Sequence, residues 1–241
     1  MISFVVAQPS FTAADINTAA EGLYDIHVAD MDNDGDLDIL SASFTDATIA
    51  WYENDGAANP TWTAANIVTN ATGASNVSAV DIDNDGDMDI LSTSANNDKV
   101  IWYENDGAAD PSWTAITISS SADYVEGLHY ADLDNDGDMD VLSASYSDDK
   151  LAWYENTTST YIGISAWTEV TVAGGSLDGA NDIVPVDIDN DGNLDFAVSG
   201  SIDDDIRYYY INHAGGWEAR NIDGSFDLPL SVAVADMDSD G

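Results

Sequence analysis

The sequence predicts an all-β fold: a β-propeller of four-stranded antiparallel blades, with about five blades represented and the first and last incomplete. Three observations carry this. An aspartate-rich segment recurs along the 241 residues, beginning at Asp30, Asp81, Asp132, Asp187 and Asp236, with spacings of 51, 51, 55 and 49 residues. Each repeat contains four short runs rich in β-branched and aromatic residues, punctuated by Gly, Asn, Asp and Pro, the pattern of consecutive antiparallel strands. No segment carries a helical period.

In the second repeat the strand runs are 77–81, 89–94, 99–104 and 113–119, called here A, B, C and D. Four strands in a unit of about 40 to 50 residues is the arithmetic of a propeller blade, whereas linear solenoids use shorter repeats. The chain reads as a single propeller or propeller fragment, with units at 1–18 (partial), 19–69, 70–119, 120–172, 173–222 and 223–241 (partial). The 55-residue spacing reflects an insertion at 157–166. Pro9-Ser10-Phe11-Thr12-Ala13-Ala14 matches Pro60-Thr61-Trp62-Thr63-Ala64-Ala65 of strand D, so the sequence opens inside a unit, with 2–6 read as a C-type and 11–18 as a D-type strand, and stops inside a fifth aspartate segment. A piece of a longer repeat protein, or a ring closed by the termini of one chain or of neighbouring chains, is the expectation. The small residues of strand B (Ser41-Ala42-Ser43 and its copies) suit either a crowded axis or ordinary strand filling.

Composition narrows the function classes. Acidic residues number 46 against four basic ones, a formal charge of -42, which repels nucleic acids and anionic membranes. Apolar residues make up 44% of the chain, with seven Trp and 11 Tyr, too much for disorder. Cysteine is absent, which excludes disulfides, thiol catalysis and thiolate metal sites. No apolar run approaches a membrane helix, so no direct membrane insertion is expected.

The recurring segment reads Asp-x-Asp-x-Asp-Gly-x-x-Asp. The candidate metal residues are Asp30, Asp32, Asp34, Asp36 and Asp38; Asp81, Asp83, Asp85, Asp87 and Asp89; Asp132, Asp134, Asp136, Asp138 and Asp140; Asp187, Asp189, Asp191, Asn193 and Asp195; and Asp236, Asp238 and Asp240 of the truncated fifth copy. Carboxylates at positions 1, 3 and 5 converge on a hard cation when the backbone turns sharply at a glycine in position 6, and position 7 contributes its backbone carbonyl. Asn193 at position 7 fits a ligand that does not depend on the side chain. An EF-hand places Glu at position 12 between helices; here position 12 is Ser41, Ser92, Ser143 or Val198, and strands flank the loop. The expectation is Ca2+, one per complete loop and four in all; Mg2+, which prefers a smaller, water-retaining octahedral shell, is the alternative. Twenty-two of the 46 acidic residues fall in these loops; the excess elsewhere suits a marine, halophilic or calcium-rich setting, or the solvated surface of a secreted protein.

These loops, together with Trp51-Tyr52-Glu53-Asn54, Trp102-Tyr103-Glu104-Asn105 and Trp153-Tyr154-Glu155-Asn156, resemble FG-GAP/VCBS repeats, the family that includes the propeller of integrin α subunits and many bacterial surface proteins. The resemblance implies a propeller with calcium in a hairpin loop of each bearing blade, an extracellular or cell-surface location, and adhesion or ligand binding. The fourth repeat departs from it at Arg207-Tyr208-Tyr209-Tyr210-Ile211-Asn212.

The expected role is an extracellular calcium-binding adhesion or recognition module with a protein or glycan partner, the calcium being structural. The alternatives are an assembly module of a surface layer or filament, self-associating through incomplete terminal blades, and a propeller-based polysaccharide-degrading enzyme. No catalytic motif is present, so the chain is expected not to be an enzyme. Connections at 45–48, 95–98, 147–150 and 202–205, with 70–76 and 173–181, form the face opposite the metal loops and are candidate partner contacts. Trp51, Trp102 and Trp153 are read as packing between blades, with sugar stacking as the alternative. His27, His129 and His213 are read as packing residues.

Overall fold

The computed structural model describes residues 15–157, 167–174, 177–212 and 216–235. The N-terminal match at 9–14, the body of the insertion at 158–166, His213 and the fifth loop with Asp236, Asp238 and Asp240 lie outside them.

Sixteen strands form four sheets of four, each an antiparallel meander in chain order. Blade I comprises β1 (Leu23–Ala29), β2 (Asp38–Ser43), β3 (Thr48–Asn54) and β4 (Trp62–Val68). Blade II comprises β5 (Ala74–Val80), β6 (Asp89–Ser94), β7 (Lys99–Asn105) and β8 (Trp113–Ser119). Blade III comprises β9 (Val125–Ala131), β10 (Asp140–Ser145), β11 (Lys150–Asn156) and β12 (Trp167–Gly174). Blade IV comprises β13 (Ala180–Val186), β14 (Asp195–Gly200), β15 (Asp205–Ile211) and β16 (Trp217–Asp223). The only helical element among the described residues is a single 3-10 turn at Ala95–Asn97.

The A strands β1, β5, β9 and β13 stand side by side and form the inner wall of a propeller arc. Strand B is therefore second from the axis, and its small residues have a different cause from crowding there. β6, β10 and β14 are buried along their whole length between neighbouring blades, so both faces must fit a packed interface. Close approach falls instead on strand A, where a Cβ on Gly127 would sit 2.9 Å from the Asn181 carbonyl of blade IV.

Each pair of blades encloses one apolar cluster. Trp51 of blade I packs with Val77 and Tyr103 of blade II, Trp102 with Leu128 and Tyr154 of blade III, and Trp153 with Ile183 and Tyr209 of blade IV. The tryptophans thus face the following blade and the tyrosines the preceding one, as adjacent residues of a strand must. Trp51 and Trp102 are buried and present no face to a sugar.

Asparagine closing strand C adds a polar link. Asn105 Nδ2 donates to the Met88 carbonyl of its own loop at 3.0 Å and to the Met31 carbonyl of the preceding blade at 3.1 Å. Asn156 does the same with Met139 (3.1 Å) and Ile82 (3.2 Å). Near the axis, Asp25 Oδ2 accepts the Val77 N–H at 3.0 Å, and Asp182 Oδ2 accepts the Val232 N–H at 3.0 Å, so segment 228–235 joins blade IV as β5 joins blade I. The connections on the far face, proposed from sequence as partner contacts, also join blades: Asp98, Asp149 and Asp204 accept N–H groups of Tyr124, Gly179 and Leu228.

Replacing Asn105 by Ala removes the side-chain donor to the buried Met31 carbonyl of the preceding blade and to the part-buried Met88 carbonyl, and removal of a buried partner costs about 1–3 kcal/mol. Asn54 is half-buried, and among the described residues its side-chain amide donates to Leu37 O of its own blade alone. Urea unfolding is expected to show Asn105→Ala more destabilising than Asn54→Ala; equal losses would contradict the inter-blade role.

Candidate metal centre

Each loop is shaped before any ion is considered. In loop 1, Asp30 Oδ1 accepts the Asp34 N–H at 3.1 Å, Asp30 Oδ2 accepts the Gly35 N–H at 2.9 Å, and Asp34 Oδ1 accepts the Asp36 N–H at 2.9 Å. The same bonds recur from Asp81 and Asp85, Asp132 and Asp136, and Asp187 and Asp191. The chain turns through positive φ twice. Position 6 is glycine (Gly35, Gly86, Gly137 and Gly192, φ 92 to 99°), where a side chain would be strained. Position 4 is asparagine (Asn33, Asn84, Asn135 and Asn190, φ 58 to 61°), a residue that tolerates the left-handed region.

The turn gathers carboxylates. Asp30, Asp32 and Asp34 each place one oxygen within 4.8 Å of the others, as do Asp81, Asp83 and Asp85, and Asp132, Asp134 and Asp136. In the fourth loop the gathered set is Asp187, Asp189 and Asp195, so Asp191 at position 5 is replaced there by position 9. These groups can hold a metal ion.

Positions 9 and 7 have further duties. Asp38, Asp89 and Asp140 are buried. In each, Oδ2 accepts the position 2 N–H (Met31, Ile82 or Leu133) at 3.1 Å. Oδ1 of each accepts the N–H of the strand C asparagine, Asn54, Asn105 or Asn156, at 2.7 to 2.8 Å. Asp195 Oδ2 likewise accepts the Ile188 N–H at 3.1 Å. The side chains at position 7 lie outside the gathered sets. Asp87 accepts from Asn33 Nδ2 of the preceding loop at 2.7 Å and Asp138 from Asn84 at 3.2 Å, while Asn193 turns onto Asp191 at 2.9 Å. In loops 2 and 3 the position 7 carboxylate thus ties its loop to the preceding one. Sequence reading missed this link and the bridging asparagine of strand C, although Asn at position 4 in all four complete loops was the available signal.

The electrostatics of the cation-free loops are unfavourable. Burial, and after it the neighbouring carboxylates, raise the pKa of Asp32, Asp83 and Asp134 at position 3 above the usual carboxylate range. Burial outweighs two backbone hydrogen bonds in pushing Asp89 up to about 7 and Asp140 to about 6. Asp83 Oδ1 is buried without a hydrogen-bond partner, an acceptor that a cation would satisfy. The donor set is all oxygen, the chemistry of a hard divalent ion.

Three overlapping matches to the FG-GAP-like repeat model cover residues 30–92, 81–143 and 132–198. The chain belongs to the FG-GAP-like repeat family. No curated protein sequence matches it. Among solved structures, it is similar to the periplasmic gluconolactonase of Pseudomonas aeruginosa, with 13% identity and a TM-score of 0.52, over 85% of this chain and 55% of that one. The chain spans about half the length of that protein, and at this identity the likeness shows the fold alone. It also overturns the expectation that the chain is not an enzyme. That neighbour is an enzyme on a similar fold, so the absence of a catalytic motif from this sequence does not exclude catalysis.

Asp89 and Asp140 take protons more readily folded than unfolded, where an aspartate titrates near 4. Their contribution in the cation-free chain is therefore present at acid pH and lost as pH rises through about 6 to 7. The melting temperature without divalent ions is expected to be higher at pH 5 than at pH 8. With a saturating divalent ion the order reverses, because protons then compete with the metal. A cation-free melt that rises between pH 5 and 8 would contradict the arrangement.

Proposed function

We propose that the chain is an extracellular calcium-binding recognition module whose calcium ions are structural, and whose partner is a protein or a glycan. The observation that supports this most directly is the fourfold repetition of a gathered carboxylate set on a hairpin turn, with the unpartnered Asp83 oxygen buried in one of them. Calcium is the ion that suits such a set: it accepts six to eight oxygens in a flexible shell, and the turn supplies carboxylates and a backbone carbonyl. Ions seated in A–B loops that hydrogen-bond to the neighbouring loop act as fasteners of the fold. A calcium-rich, extracellular setting suits them, and a surface of -42 suits neither nucleic acid nor an anionic membrane. Among the described residues no helix is long and apolar enough to cross a membrane.

Chelation is expected to lower the melting temperature markedly, and millimolar calcium to restore it by binding the folded state preferentially. Magnesium at equal concentration restores less. An identical melt in demonstrably metal-free and calcium-loaded protein would sink the structural role of the ion.

A second reading, self-association of blades, draws on the exposed face of β1. Leu23, Ile26 and Val28 are half or more exposed, whereas their counterparts Ala74, Val77 and Ala79 in blade II are buried. Beside them lies an apolar hollow of about 260 Å3 lined by Ile39 and Tyr52. Sedimentation is expected to show concentration-dependent association that Ile26→Glu abolishes; a monomer at all concentrations removes this reading.

A further inference from the structure

Loops 1, 2 and 3 are joined in series, by two links at each step that start on either side of position 3. In loop 1, Met31 and Asn33 flank Asp32. The Met31 carbonyl accepts from Asn105 Nδ2 at 3.1 Å, and the Asn105 N–H is held at 2.8 Å by Asp89 Oδ1, position 9 of loop 2. Asn33 Nδ2 donates to Asp87 Oδ1, position 7 of loop 2, at 2.7 Å. The next step repeats the pattern around Asp83. The Ile82 carbonyl accepts from Asn156 Nδ2 at 3.2 Å, and Asp140 Oδ1 of loop 3 holds the Asn156 N–H at 2.7 Å. Asn84 Nδ2 donates to Asp138 Oδ1 and to the Gly137 carbonyl, both at 3.2 Å.

The step to loop 4 is built differently. Its position 7 carries no carboxylate: Asn193 stands there, and its Nδ2 donates to Asp191 of its own loop at 2.9 Å. Strand C ends its ladder at Ile211, paired with Trp217 as Asn156 is paired with Trp167, and an isoleucine side chain offers no donor to the preceding loop. Loop 4 also gathers a different carboxylate set, Asp187, Asp189 and Asp195.

We infer that loops 1 to 3 take up calcium as a coupled group while loop 4 fills independently, with Asn33, Asn84, Asn105 and Asn156 as the positioning residues that carry the coupling. The inference rests on the calcium reading and adds an order of filling to it. Once Asp32 is held by its ion, the backbone on both sides is fixed, and with it the Met31 carbonyl and the Asn33 amide. Those two groups hold positions 9 and 7 of loop 2. Part of the ordering cost of loop 2 is then met before its own ion arrives, which is positive coupling. Charge acts in the opposite sense, since each bound ion removes some of the negative potential that attracts the next. That field is screened over about 8 Å at physiological ionic strength. The hydrogen bonds act in direct contact, and those from Asn105 and Asn156 to the preceding loop are buried.

The test is a calcium titration of the full chain, stripped of metal and kept below its metal-free melting temperature, by competition with a chromophoric chelator. Asn33→Gly with Asn84→Gly removes the exposed links and keeps a residue that accepts the positive φ of these positions. Asp87→Asn with Asp138→Asn removes their acceptors and copies the residue found at 193. The expected isotherm of the unaltered chain has a cooperative component of three ions and one independent ion, and each double variant lowers the Hill coefficient of the group. Asp83→Asn, which impairs the middle loop, is expected to weaken two of the remaining ions by about tenfold, a common size for linked sites, whereas Asp189→Asn costs only the independent ion. Four independent sites in the unaltered chain would overturn the coupling and leave the calcium reading in place; no calcium uptake would overturn both. Cooperativity undiminished in both double variants, or extending to the fourth ion, arises from folding of the whole chain and would overturn the links as its cause.

Discussion

The aspartate at position 9 is the constraint on which the rest of this structure depends. In Asp38, Asp89 and Asp140 a single buried carboxylate receives one N–H from the start of its own loop and another from the end of strand C. Three pieces of backbone are thereby fixed to one side chain: the A–B turn, the beginning of strand B and the C–D corner. Position 1 then closes the turn by accepting from positions 5 and 6, and in the first three loops the carboxylates of positions 3 and 5 are brought beside it. The convergence that makes a cation site is a consequence of backbone hydrogen bonding, and the repulsion it creates is what an ion relieves.

From the loops the order passes outward between blades. Apolar clusters supply most of the driving force for blade association, since they bury Trp, Tyr, Leu and Ile side chains completely. Such contacts are non-directional, and register between blades needs directional ones. Asn105 and Asn156 reaching the preceding loop, Asn33 and Asn84 reaching the following one, and Asp25 and Asp182 on strand A provide them at both ends of the stack.

Much of this was legible in the sequence because it repeats. The period, the four strand runs and the aspartate spacing identify blades and loops without reference to packing. The runs read at 89–94 and 113–119 coincide with β6 and β8. Position within the propeller was less legible: Ser41-Ala42-Ser43 reads equally well as axial or second-layer, and only the neighbours of β1 decide it. The function of Asn105 and Asp87 was hidden for another reason. Their partners lie a whole repeat away, and nothing in a single unit indicates that an exposed-looking polar residue is spoken for by the next. Where the pattern breaks, at Tyr208 to Ile211, sequence registers the break but not the pairs Tyr208–Arg220 and Tyr210–Glu218, whose second members come from a different strand.

The joints between blades also bear on how such a chain can grow. Asn33 meets Asp87 and Asn84 meets Asp138 across the same separation of 54 residues, and the strand C asparagines reach back 74 residues in both cases. A tandem copy of one whole unit therefore brings both halves of every joint with it, already in phase with its neighbours. Lengthening by duplication needs no new complementary surface, whereas a partial copy leaves carbonyls and carboxylates facing the wrong residues. The hydrogen bonds that hold the blades together thus set the unit of inheritance, and they leave an individual blade such as IV free to acquire a surface of its own.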